Sequence, residues 1–127
     1  MSEAGLSKMS IDGLLDAFVR LSAARGIAMD LSKVSETNRL GAKIGKIEDE
    51  LKRRPGDQRF VLAKNFAHPN PYVRFSTATC LIEVMPEEAR RQLQLIADSK
   101  YYPLAGDAGM YLSNLDSGFF ERGALSR

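Results

Sequence analysis

The sequence predicts an all-α domain of about six helices, stacked in pairs as a short right-handed solenoid. Three observations carry this. Apolar residues recur at helical spacing through most of the chain, proline and glycine punctuate it at short intervals, and the second half repeats weakly on itself. With 127 residues, 44% hydrophobic and 27% charged, the chain has the size and composition of one folded domain. Residues 1–127 are therefore read as a single domain. Residues 1–9 are read as a frayed, disordered end, residues 10–54 as an N-terminal helical pair, and residues 56–118 as helical repeats.

The organising stretch is Pro69 to Val84. Asn70 is an N-cap, because its side-chain oxygen can accept a free first-turn N–H. Pro71 follows at the first helical position, where its missing N–H costs nothing. Val73, Ser76, Thr77, Cys80, Leu81 and Val84 then mark one helical face. Ala78 and Ile82 widen it, so burial on more than one side is expected. Pro86 ends this element and opens the next, with Glu87 and Glu88 favourable in the new first turn.

The other elements follow in order. Ser10 can cap a helix whose buried face is Ile11, Leu14, Leu15, Phe18 and Val19, ending near Arg25-Gly26. Ser35 caps a second helix with the stripe Leu40, Ile44, Ile47 and Leu51. Gly41 and Gly45 on one face of that helix suggest close approach of another helix, or else a bend. Pro55-Gly56 is a turn. A third helix spans about 57–67, with Phe60, Val61, Leu62, Ala63 and Phe66 inside. The organising helix covers about 70–85, a fifth runs from Pro86 to about Ser99, and a sixth from Pro103 to about Leu115. Phe119 and Phe120 are expected to fold back on the last one. Leu62, Val73, Thr77 and Leu81 map onto Leu93, Leu104, Ala108 and Leu112 at a constant offset of 31. That period suits stacked helical pairs.

The pattern Pro71, Val73, Arg74, Ala78 and Leu81 resembles the HEAT/armadillo class of helical repeats. Together with Met110-Tyr111-Leu112 and Leu115-Asp116-Ser117-Gly118, residues 58–118 resemble a small bacterial HEAT-like family known as domain of unknown function 2019. The resemblance implies an α-solenoid fragment and brings no activity with it.

Composition narrows the function classes. No apolar run is long enough to span a membrane. The N-terminus lacks the basic and apolar regions of a secretory signal, so a cytoplasmic location is expected. One cysteine allows neither an internal disulfide nor a paired-cysteine metal site. The net charge is +2, yet residues 31–64 hold nine Lys/Arg against five Asp/Glu, a local +4.

Candidate chemistry is sparse. His68 lies at a helix end, where a cation suits the dipole. Cys80 falls on an apolar stripe, the usual place of an inert thiol. Glu48-Asp49-Glu50 are about 100° apart in turn and do not converge. Asp107, flanked by Gly106, Ala108 and Gly109, is the carboxylate expected to be semi-buried. An enzyme would require Asp107, Arg74 and Tyr111 to converge in a polar pocket. No catalytic residue, metal site or cofactor is read, and the expectation is a non-enzymatic protein-interaction module. Tyr72, Arg74, Tyr101 and Tyr102 cluster near the turns of the two repeats and are the tentative partner-binding set. Their other reading is rings covering helix ends with wet hydroxyls. The alternative function is nucleic-acid binding through a basic face at 39–64, chiefly Arg39, Lys43, Lys46, Arg53 and Arg54, with Lys52, Arg59 and Lys64 beside them. That face lacks interleaved aromatics; an ordinary charged helix surface is the simpler reading of it, and an acidic protein partner is the other. No membrane partner is expected, and the sequence does not set the oligomeric state.

Overall fold

A computed structural model describes residues 3–118. The elements are α1 (Glu3–Ser7), α2 (Ile11–Asp30), α3 (Val34–Arg53), a 3₁₀ helix (Gln58–Ala67), α4 (Pro71–Leu81), α5 (Pro86–Asp98) and α6 (Leu104–Asp116). The described residues are thus all-helical, with seven helices and no strand. None of these helices is long and apolar enough to cross a membrane. The back-folding expected of Phe119 and Phe120 lies outside the described residues.

The caps follow the local sequence in two places. Ser10 Oγ accepts the Gly13 N–H at 3.0 Å, and Asn70 Oδ1 accepts the Tyr72 N–H at 2.8 Å. In α3 the start is instead at Lys33, which makes no side-chain cap bond.

Four expectations are corrected. From residue 3 the N-terminal segment is helical, and Leu6 is only 1% exposed. Arg54 holds this helix by donating to the Leu6 and Met9 carbonyls at 3.1 and 2.7 Å. α2 does not stop at Gly26 but continues to Asp30, with Gly26 buried inside it. The third helix is 3₁₀, not α. With three residues per turn, Arg59, Leu62 and Asn65 share its buried face, and Phe60 is turned out at 53% exposure. Asp57 starts this helix in a left-handed conformation (φ 49°) and accepts the Arg59 N–H. Finally, Asp107 is exposed rather than semi-buried.

α4 joins two apolar cores. Cys80 and Leu81 belong to the first, with Leu14, Phe18, Ile47 and Leu51. Tyr72 and Ala78 belong to the second, with Leu93, Ile96 and Leu104. Seven α4 residues are buried: Tyr72, Val73, Ser76, Thr77, Ala78, Cys80 and Leu81. Burial on several sides is what the widened stripe predicts. Thr77 satisfies its buried hydroxyl on the Val73 carbonyl at 2.8 Å.

Candidate functional site

Two places concentrate chemistry. One is the edge where the end of α2 meets the 101–103 turn. The Tyr72 ring lies on Gly26, where an added Cβ would fall 2.4 Å from ring carbons. Glycine is required there because only a bare backbone admits the ring. The Tyr72 hydroxyl donates to Asp30 Oδ1, and Tyr101 donates to Asp30 Oδ2 at 3.2 Å. The two rings meet edge to face, with centroids 6.0 Å apart and planes at 73°. Burial and the adjacent Asp30 carboxylate together push the Tyr72 phenol well above its ordinary pKa.

This edge divides the tentative partner-binding set. Tyr72 is 6% exposed and is a core residue. Arg74 is half-buried and donates to the His68 and Pro69 carbonyls at 2.9 and 3.3 Å, closing the end of the 3₁₀ helix. Tyr101 and Tyr102 remain outward, at 45% and 68% exposure. Ile27, Leu31 and Val34 are also exposed, at 63%, 59% and 69%. Ile27 and Tyr101 line one shallow depression, and Val34 and Pro103 line another. The sequence reading ended α2 near Arg25-Gly26, short of Ile27. It missed the patch because the patch forms only when the α2 end reaches the distant 101–103 turn.

The second place is a cleft of about 510 Å³ walled by α3, α4 and α6, with Arg25 of α2 at one side. Gly41 and Gly45 line it, and an added Cβ on Gly45 would meet nothing within 4 Å. These glycines therefore open a cleft, and the close helix approach expected of them is not at Gly45. The three consecutive carboxylates go three ways, as their angular spacing requires. Asp49 is exposed. Glu50 is buried and receives Arg53 at 2.7 Å and Arg54 at 2.8 Å, which hold its carboxyl below the usual range. Glu48 turns into the cleft, where burial raises its pKa despite the opposing Cys80 thiol and the more distant Arg59.

Cys80 lines the cleft but is only 3% exposed. Burial first, then the Glu48 carboxylate, pushes its thiol well above the ordinary value, so it stays protonated and is a weak nucleophile. Tyr111 also lines the cleft, and burial with the Glu48 charge raises its phenol. Asp107 and Tyr111 do share this space, but the arginine there is Arg25 and not Arg74. The sequence signal for the cleft was Gly41, Gly45 and Glu48 at spacings of four and three, one helical face.

The basic set is largely spent inside the molecule. Arg39 pairs with Glu36, Arg53 and Arg54 with Glu50, and Arg59 with Asp57 (2.6 Å) and Glu83 (2.8 Å). Lys52 lies 3.7 Å from Glu83. Among the described residues, Lys43 and Lys46 make no ion pair within 4 Å. His68 Nδ1 accepts the Asn70 N–H at 3.0 Å and so serves the turn before α4. Among the described residues no group of three or more His, Cys, Asp or Glu is arranged to hold a metal ion.

The all-helical fold and its two cores run through the segment that defines a family. The family model described as "Domain of unknown function (DUF2019)" matches residues 12–116, and the chain belongs to that family. The chain is also similar to the protein RPA1889 from Rhodopseudomonas palustris CGA009, whose crystal structure is solved. The two are 41% identical, the alignment covers 89% of this chain and 93% of that one, and the TM-score is 0.84. No curated protein matches the chain.

Proposed function

We propose that this DUF2019 protein is a non-enzymatic protein-interaction module, built as a short HEAT-like right-handed stack of three helical pairs. The pairs are α2 with α3, the 3₁₀ helix with α4, and α5 with α6. Extensive packing within each of these pairs supports the arrangement. The observation that carries the function is the exposed apolar edge of Ile27, Leu31, Val34, Tyr101 and Tyr102. Tyrosine is enriched among the residues that anchor protein interfaces. The Asp30 bonds to Tyr72 and Tyr101 support a pre-ordered edge, which lowers the entropy cost of binding. The protonated, buried Cys80 thiol supports the non-enzymatic part of the reading.

The test is affinity capture with the tagged full chain, with and without nuclease and at two salt concentrations. Leu31→Asp and Tyr102→Ala serve as edge variants. A protein retained after nuclease and lost with both edge variants supports the reading. Recovery of nucleic acid that disappears at higher salt, unchanged by the edge variants but lost in the Lys43→Glu/Lys46→Glu double variant, would replace it with the basic-face alternative.

A further inference from the structure

The cleft between α3, α4 and α6 is lined by Arg25, Asp107 and Glu48, and its volume of about 510 Å³ is in the range of small-molecule sites. Its near end is set by Arg25. The guanidinium lies over Gly41, where an added Cβ would fall 3.2 Å from Arg25 Nε. That Nε is buried and donates to no acceptor among the described residues. A second guanidinium nitrogen reaches the Met29 sulfur at 3.5 Å, a weak acceptor. What Arg25 lacks is an anion.

The two ends of the cleft can be ordered. Gly26 touches Tyr72 at the start of α4, and Tyr72 touches Tyr101 just before α6. So α4 and α6 both begin at the Arg25 end. Phe75 and Asp107, one turn into those helices, line this end, and Asp107 brings an exposed carboxylate. Glu48 lies seven residues beyond Gly41, or about 10 Å further along α3. The Glu48 carboxylate acts on Cys80 and Tyr111, which sit correspondingly further along α4 and α6. Among the described residues Glu48 has no cation within 4 Å. Its hydrogen-bond partner is the neutral Cys80 thiol, and Arg59 and Lys52 act on it only from further away, so what the far end lacks is a contacting cation. Between the ends, Gly45 leaves free space and Ile44 supplies apolar wall.

We propose that this cleft binds a free α-amino acid with an extended cationic side chain, its carboxylate on Arg25, its α-ammonium on Asp107 and its distal cation on Glu48. The side-chain methylenes lie along the Gly45 gap. The cleft is distinct from the apolar edge, so Leu31→Asp leaves this binding unchanged.

The test is calorimetric titration of the full chain with L-lysine, L-arginine, L-norleucine and cadaverine. L-norleucine keeps the head group and lacks the distal cation, whereas cadaverine keeps two amines and lacks the carboxylate. At least one basic amino acid is expected to saturate, with norleucine at least about tenfold weaker, because the Glu48 carboxylate is left unpaired. Glu48→Gln is expected to erase the difference between lysine and norleucine. Arg25→Met is expected to weaken both alike, and far-UV circular dichroism checks that each variant is folded. If Arg25→Met does not fold, cadaverine on the native chain reports the carboxylate requirement instead. The proposal is overturned if neither basic amino acid saturates up to millimolar concentration. It is equally overturned if lysine and norleucine bind alike, or if Glu48→Gln leaves their ratio unchanged.

Discussion

Gly26 and Gly45 lie on neighbouring antiparallel helices and have opposite uses. At Gly26 the missing side chain is replaced by the Tyr72 ring, which seals α2 against α4. At Gly45 the missing side chain is replaced by nothing, and a cleft remains. One glycine contributes to stability by admitting a neighbour. The other costs helix propensity without a packing return, the pattern expected where space itself is retained. The contrast separates a rigid edge, tied through Tyr72, Asp30 and Tyr101, from a cleft in which Arg25 Nε has no acceptor among the described residues.

The largest test of the sealed side is Tyr72→Ala. It removes a buried ring from the second core and uncovers Gly26, and a loss of about 3–5 kcal/mol is expected. Urea unfolding followed by circular dichroism measures it, and a loss below 1 kcal/mol would remove Tyr72 from the centre of the packing argument. Next comes Gly26→Ala, whose methyl collides with the base of the ring and not with a flexible tip. Overpacking of this kind costs about 1–3 kcal/mol. In the double variant the two losses should not add, because once the ring is gone the methyl has room.

The open side should answer with the opposite sign. Gly45→Ala is expected to stabilise by up to about 1 kcal/mol, since alanine is the better helix former and its methyl meets no atom. A thermal melt showing destabilisation would mean that Gly45 is packed after all.

The smallest effect is that of Glu48→Gln on the pH profile of stability. Burial raises the Glu48 pKa in the fold, so above the ordinary carboxylate range the native state binds more protons than the unfolded one. Stability from this group is therefore present at lower pH and is lost as pH rises through the raised value. Glu50, Asp57 and Glu83 have lowered values and act in the other direction, below the ordinary range. Denaturant midpoints measured from pH 4 to 8 should show a decline in the wild type that Glu48→Gln flattens. An unchanged slope would place Glu48 in water.

The fold was more legible than the site. Asn70-Pro71, Pro86 and the stripe in α3 are local signals, and the helices they start or face are where the spacing predicts. The 3₁₀ geometry of Gln58–Ala67 was hidden, because Phe60, Val61, Leu62 and Ala63 suit an α-helix equally. The three-residue period shows only in Arg59, Leu62 and Asn65, and two of these are polar residues, with Arg59 held between Asp57 and Glu83. Glu48 was indistinguishable in sequence from Asp49 and Glu50, since which of three adjacent carboxylates faces a cleft depends on helix rotation.

The sequence by itself determined the helical class, most boundaries and the double-sided burial of α4. Hydrogen bonding, capping and amphipathic spacing act within a few residues, so each can be read from neighbours in the chain. Tertiary structure alone decided that Gly26 continues a helix, that Tyr72 is core while Tyr102 is surface, and that Arg25 and Glu48 face one space. Those outcomes depend on which faces of distant helices meet. The free energy of burial depends on that meeting and not on the order of residues along the chain.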